Sequence, residues 1–308
     1  MENSFDVIIP VAGKDANFVH KVTYHIRKHL LGVETIYIIT NKKYFKKIEH
    51  SLKNQRNIII IDENNLVEDL TFNHLKYLIK HYTTSTSPGW LFQQFLKYGF
   101  ALTKYAKQYY LSWDADTIPI SDIHFFESGQ PLFTKKYEYN DNYFKTIEKI
   151  IGLKKTVSYS FIAEHMLFNS EIVKELLAVI SKCNVPGNTW FEKIIRAGDY
   201  KHTYPPFSEF ETYGTYVTTT YPELYKTRQL NTFRRGGLIR GRFISDKMLQ
   251  RLSIDIDTIS FEMRDEPPFP YNIPNKLWLL KDLLRKISLQ SPNVIIRKIY
   301  NKFRKHHK

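Results

Sequence analysis

Phe5-Asp6-Val7-Ile8-Ile9-Pro10, Thr35-Ile36-Tyr37-Ile38-Ile39-Thr40 and Asn57-Ile58-Ile59-Ile60-Ile61 are three short apolar runs within the first part of the chain. Runs of this length, rich in β-branched residues and separated by polar stretches, read as buried strands. Between the first two, Val19, Val22, Ile26 and Leu30 recur at helical spacing. The order strand, helix, strand, repeated, predicts β-α-β crossovers and therefore a parallel sheet. Further on, Pro88-Gly89 opens a helix with the stripe Leu91, Phe95, Tyr98, Leu102 and Tyr105. Tyr109-Tyr110-Leu111-Ser112-Trp113 is then a fourth strand. The fold class predicted is α/β, a mostly parallel sheet flanked by helices.

Beyond this strand the alternation loosens. Pro131-Leu132-Phe133 and His165-Met166-Leu167-Phe168 read as short strands, and the stretches from Glu171 to Ile180 and from Trp190 to Ala197 as helices. Two capping boxes, Thr189-x-x-Glu192 and Ser208-x-x-Glu211, mark helix starts, the second opening a segment with Phe207, Phe210, Tyr213 and Tyr216 at threefold spacing. With no internal repeat and no low-complexity linker, the C-terminal half is expected to add to the first sheet.

The chain has 308 residues, 43% hydrophobic and 25% charged, values that exclude wholesale disorder. No apolar run approaches the roughly 20 residues needed to span a bilayer. The formal net charge of +14 suits an anionic partner. Much of it lies at the end: from Lys281 to Lys308 nine Lys and Arg residues face Asp282 alone. After Pro292, the apolar residues Ile295, Ile296, Ile299, Tyr300 and Phe303 recur at helical intervals among these cations, the pattern of a tail that lies on an anionic membrane surface. The start, Met1-Glu2-Asn3-Ser4-Phe5-Asp6, lacks the features of a secretory signal, so the expected location is the cytoplasm, at the inner face of the membrane. The single cysteine, Cys183, excludes an internal disulfide and reads as an inert thiol. His25-x-x-x-His29 has metal-compatible spacing but reads as a solvated helix face.

Neither Gly-x-Gly-x-x-Gly nor a P-loop occurs, which demotes dinucleotide and P-loop chemistry. A parallel sheet places its ligand at the carboxyl ends of its strands. There the first strand runs into Pro10-Val11-Ala12-Gly13-Lys14-Asp15, a turn with one cation, and the fourth into Asp114-Ala115-Asp116-Thr117. Two carboxylates one residue apart after so apolar a strand are costly unless a ligand or hydrogen bonds hold them. Both can reach a hard cation, Mn²⁺ or Mg²⁺, which would bridge to phosphate oxygens.

Asp114-Ala115-Asp116, after three strands and a helix, resembles the Asp-x-Asp motif of nucleotide-sugar glycosyltransferases with the GT-A fold. Gly89-Trp90-Leu91-Phe92-Gln93-Gln94-Phe95-Leu96-Lys97, Asp114-Ala115-Asp116-Thr117-Ile118-Pro119-Ile120, His165-Met166-Leu167-Phe168 and Ser208-Glu209-Phe210-Glu211-Thr212-Tyr213-Gly214 together resemble bacterial glycosyltransferases of capsule and lipopolysaccharide gene clusters. The resemblance implies a GT-A-like, Rossmann-related catalytic domain over residues 1–245, with a nucleotide-sugar half (1–120) and an acceptor half (121–245), followed by a basic helical extension (246–308). It implies Asp114 and Asp116 as holders of the metal and the diphosphate. Pro10, Val11, Lys14 and Asn41 would line the base and ribose, Trp90, Gln93, Gln94 and Lys97 would face the donor along one helix edge, and His165 would be a donor-site or metal-side residue or a hydrogen-bonded core histidine. The implied activity is metal-dependent transfer from a nucleotide-diphosphate sugar, UDP-sugar first, to a surface-polysaccharide, lipopolysaccharide or lipid-linked acceptor. Inverting transfer is favoured, with Glu209 or Glu211 as the acceptor base; both also suit a purely structural place in the capping box. Asn231-Thr232-Phe233-Arg234-Arg235-Gly236-Gly237 is a basic loop that could reach the diphosphate or an anionic acceptor.

Two other readings compete. Asp114-Ala115-Asp116-Thr117 literally fits the opening motif of haloacid-dehalogenase-like phosphatases, but that chemistry needs a later acidic pair, of which Gly198-Asp199 is a fragment. Basic charge with 15% aromatic residues suits single-stranded nucleic acid, but the aromatics occupy stripes and strands, as core residues do, so no nucleic-acid partner is expected.

Overall fold

The computed structural model describes residues 4–82, 87–201, 205–273, 276 and 277. The tail from Pro292 to Lys308 lies outside them. In chain order the elements are β1 (Phe5–Val11), α1 (Val19–His29), β2 (Val33–Thr40), α2 (Phe45–Leu52), β3 (Ile58–Asp62), α3 (Phe72–Ile79), α4 (Pro88–Gly99), β4 (Tyr109–Trp113), β5 (Thr117–Pro119), β6 (Phe126–Glu127) and β7 (Gln130–Thr134). There follow α5 (Asp141–Ile151), β8 (His165–Asn169), α6 (Ser170–Lys182), α7 (Trp190–Ala197), α8 (Glu209–Thr220), β9 (Lys226–Arg228), β10 (Thr232–Phe233), α9 (Gly237–Arg240), α10 (Asp246–Leu252) and β11 (Thr258–Ser260).

The main sheet has the order β3-β2-β1-β4-β8. Its first four strands are parallel and β8 runs antiparallel beside β4, with Trp113 opposite His165. The mostly parallel, helix-flanked sheet expected from the sequence is therefore present. All seven residues of β1 are buried, which is why that strand reads as a continuous apolar run with no alternation. From β1 the chain goes to β2 and β3 on one side and returns to β4 on the other. The strand order thus reverses between β1 and β4, and in open α/β sheets the carboxyl ends at such a reversal are where ligands bind.

The second half contributes less to this sheet than its sequence suggests. Among the described residues only β8 joins it; β5, β10 and β11 form one small sheet, and β6, β7 and β9 another. These strands are two to five residues long, too short to show a period in sequence. The α4 stripe also ends early: the helix stops at Gly99, a 3₁₀ turn takes over at Phe100–Leu102, and Leu102 is exposed. The expected solvated face on α1 is not found. His25 is buried and its ring stacks on that of His29, whose Nδ1 lies 2.9 Å from Asp122.

The chain divides into two compact units. The larger comprises Met1–Phe233 and Gln250–Ile259 and holds the main sheet. The smaller comprises Arg234–Leu249 and the described residues from Ser260 onward. Within the smaller unit Gly236 N–H donates to the Ser260 carbonyl, and Arg235 pairs with the buried Asp265. Gly237 packs so closely on Asp265 that an added Cβ would sit 2.6 Å from it. Among the described residues no helix is long and apolar enough to cross a membrane.

Candidate active site

Asp114-Ala115-Asp116 forms the tight turn from β4 into β5, at the carboxyl end of the strand beside β1. Thr117 N–H closes the turn by donating to the Asp114 carbonyl at 3.2 Å, and Trp113 Nε1 donates to the Thr117 carbonyl at 2.8 Å. Asp114 N–H donates to the carbonyl of Glu164, the residue just before β8, at 2.9 Å. Both aspartates are half-buried, so the turn keeps two carboxylates partly open at the carboxyl end of β4.

Lys97 projects from α4 into this turn. Its Nζ donates to Asp114 Oδ1 at 2.9 Å and to Glu209 Oε1 at 2.8 Å, and lies 4.3 Å from the centre of the Phe210 ring. Burial works against its charge, but the two carboxylates outweigh burial and raise its pKa, so Lys97 stays an ammonium. Burial also raises the Glu209 carboxyl, with Lys97 opposing it. Gln94, one turn before Lys97, accepts from Glu209 N–H at 3.3 Å, and the Tyr98 hydroxyl donates to the Glu209 carbonyl at 2.6 Å. One edge of α4 therefore holds the first residue of α8.

Glu211 lies two residues on, and residues two apart on a helix point in nearly opposite directions. Its buried carboxylate accepts from the Ser160 hydroxyl, from Phe161 N–H at 3.2 Å and from Lys155 Nζ at 2.9 Å. Ser208 caps α8 by accepting from Glu211 N–H, but the Glu211 carboxylate does not return to Ser208, so the capping box is half made. The first turn of α8 thus braces the Asp114 turn twice. Glu209 does so through Lys97, and Glu211 through the loop that leads from Ser160 to Glu164. The Glu211 carboxylate is 1% exposed and accepts three hydrogen bonds, which matches the structural place in the first helical turn that its sequence also allows.

The other predicted residues divide. Pro10 and Val11 end β1, the strand paired with β4, and Lys14 lies on the turn that follows β1. Gly13 lies against Tyr44, so a Cβ there would meet its hydroxyl at 2.0 Å. Asn41 follows β2 and donates to Glu63 Oε1 at 3.0 Å, beyond β3. Trp90 and Gln93 are half-buried on α4, while Gln94 is taken up by Glu209. His165 lies in the layer under the turn, stacked on Trp113 at 4.9 Å, with Nε2 2.9 Å from the Thr134 hydroxyl. Burial, with Arg228 and Lys136 adding to it, pushes its pKa well below the usual range, so the imidazole is neutral.

One residue went unread in the sequence. Glu164 is buried, and its carboxyl pKa is pushed up to about 7 by burial, against Lys136, with Asp114 and Asp116 raising it further. A lone glutamate before a short strand carries no sequence signal; only the β4–β8 pairing brings it to the turn.

A divalent metal fits this donor set in part. Two carboxylates on one turn suit a hard cation, and Asp114 keeps 39% of its side chain exposed. Among the described residues no group of three or more His, Cys, Asp or Glu side chains forms a metal cage, so most ligands would be water and phosphate.

No family model matches the sequence, and no curated protein matches it. Solved structures similar to it include mouse xyloside xylosyltransferase 1 in apo form, at 11% identity and a TM-score of 0.46, covering 87% of this chain and 100% of that chain. A galactosyltransferase, LgtC, in complex with donor and acceptor sugar analogues, has 9% identity and a TM-score of 0.41 over 83% of this chain and 87% of that one. The apo glycosyltransferase GlyE of Streptococcus pneumoniae has 12% identity and a TM-score of 0.41, covering 98% of this chain and 64% of that chain.

Proposed function

We propose that the protein is a glycosyltransferase that moves a sugar from a nucleotide-diphosphate sugar to a glycan or lipid-linked acceptor. The observation that carries this reading is the Asp114–Asp116 turn at the reversal of strand order, braced by a buried ammonium. Nucleotides are bound at such a reversal in open α/β sheets, and a paired-carboxylate turn there suits a metal–diphosphate complex. Asp114 and Asp116 would hold the cation, which when bound neutralises charge on the departing diphosphate. The Pro10–Lys14 turn follows β1, the strand paired with β4, and base and ribose would lie against it. Lys97 and the Glu164 carbonyl hold the turn in place before substrate arrives, which saves reorganisation during reaction. An acceptor from surface-polysaccharide or lipopolysaccharide synthesis is proposed from the family resemblance.

The competing readings lose support. Asp199 follows α7 and not a strand of the sheet, so the second acidic pair of a dehalogenase-like phosphatase is not formed there. Phe207, Phe210, Tyr213 and Tyr216 are buried in the core and offer no stacking platform to bases.

The experiment is hydrolysis of a panel of sugar nucleotides with Mn²⁺ and no acceptor. Release of nucleoside diphosphate from one or a few donors, lost in EDTA, is expected. No turnover of any donor, together with hydrolysis of a generic aryl phosphate, would overturn the assignment.

A further inference from the structure

Lys97 sets an ammonium against a carboxylate that is itself proposed to hold a cation. Its side chain is 7% exposed, and Asp114 Oδ1 and Glu209 Oε1 lie 2.9 and 2.8 Å from Nζ. Alone, such a cation would cancel half the charge that Asp114 and Asp116 bring to the turn, and would repel a divalent ion at short range. Glu209, 5% exposed, removes that conflict. The Lys97–Glu209 pair is neutral, while Lys97 still fixes Asp114. Glu209 is in turn held by Gln94 and Tyr98 through its main chain, so its carboxylate cannot drift from Lys97.

We propose that Glu209 is a positioning residue: its carboxylate neutralises Lys97, so that Lys97 can fix Asp114 without weakening the turn's affinity for a divalent cation. This rests on the metal-dependent transferase reading above. It gives Glu209 a role other than acceptor base, acting through Lys97 on Asp114.

The test is Mn²⁺ binding in the presence of UDP, read from the electron paramagnetic resonance signal of free Mn²⁺, with the full-length chain. Glu209→Gln should weaken binding by about tenfold or more, since an unbalanced positive charge then stands beside the site. Lys97→Met loses the brace but also the repelling charge, so it should weaken binding less than Glu209→Gln does, and the double variant should return to within about threefold of the wild type, the coupling expected of contacting residues. A merely structural role would leave the double variant at least as weak as Glu209→Gln. Asp116→Asn serves as the control. If it abolishes binding while Glu209→Gln leaves it unchanged, the charge-balance role is wrong and the transferase reading survives. If neither changes binding, the metal-dependent reading falls, and the role of Glu209 with it. Should Glu209→Gln fail to fold, the double variant decides, because removing both charges of a buried pair leaves neither uncompensated. Binding near wild type supports the proposal, and binding tenfold weaker overturns it.

Discussion

Gly214 lies inside α8 with its Cα against the Phe161 ring, and replacing it with alanine tests whether that contact is as close as the structure shows. In an open helix the change would gain about 1 kcal/mol. Here the new Cβ would sit 2.3 Å from two ring carbons, against the 3.4 Å of ordinary contact. The ring has little room to retreat, because Phe161 is 1% exposed, with Phe133 at 5.0 Å and Tyr159 at 5.3 Å between ring centres. Overpacking of this kind costs about 1–3 kcal/mol, and a boxed-in ring belongs at the upper end. Set against the helix gain, the net loss is about 2 kcal/mol, or a fall in Tm of about 4 °C for a chain of this size. Phe161 N–H also holds Glu211, so a displaced ring should disturb the loop to Glu164 and lower turnover. Gly89, in α4, is the control: its added Cβ meets nothing closer than 3.8 Å, so Gly89→Ala should leave Tm unchanged or raise it slightly. Thermal unfolding followed by tryptophan fluorescence reads both. A Gly214→Ala protein with a Tm equal to or above that of the wild type would refute the reasoning.

Asp116→Asn should abolish donor hydrolysis with Tm nearly unchanged, as its side chain is half-buried at a turn; full activity of the variant in EDTA would remove the metal from the reading. Glu211→Gln should lower stability by about 3 kcal/mol in urea unfolding, since it strands Lys155, whose side chain is 11% exposed. A rate loss with stability intact would instead restore Glu211 as a catalytic base. The basic segment from Pro292 to Lys308 should carry the protein onto liposomes in proportion to their anionic lipid and inversely with salt. Equal cosedimentation of the full-length and truncated proteins would dismiss it as the anchor.

What could be read from sequence alone follows from periodicity and local chemistry. β1 to β4 are short, nearly continuous apolar runs, α1 and α4 carry helical stripes, and strand–helix alternation leaves a parallel sheet as the economical arrangement. The Asp114–Asp116 turn was legible for the same reason, as two carboxylates that cannot be left bare after a buried strand. The partners of that turn were not legible. Lys97 and Glu209 are 112 residues apart and meet only because α8 packs its first turn on α4. Glu164 reaches Asp114 only through antiparallel pairing of a five-residue strand. Glu209 and Glu211 look equivalent in sequence, each an acid in a helix's first turn. The tertiary structure separates them, because residues two apart face opposite sides, one meeting Lys97 and the other Ser160 and Lys155. A one-dimensional pattern names residues fit for charge chemistry, and packing over long loops decides which charges they meet.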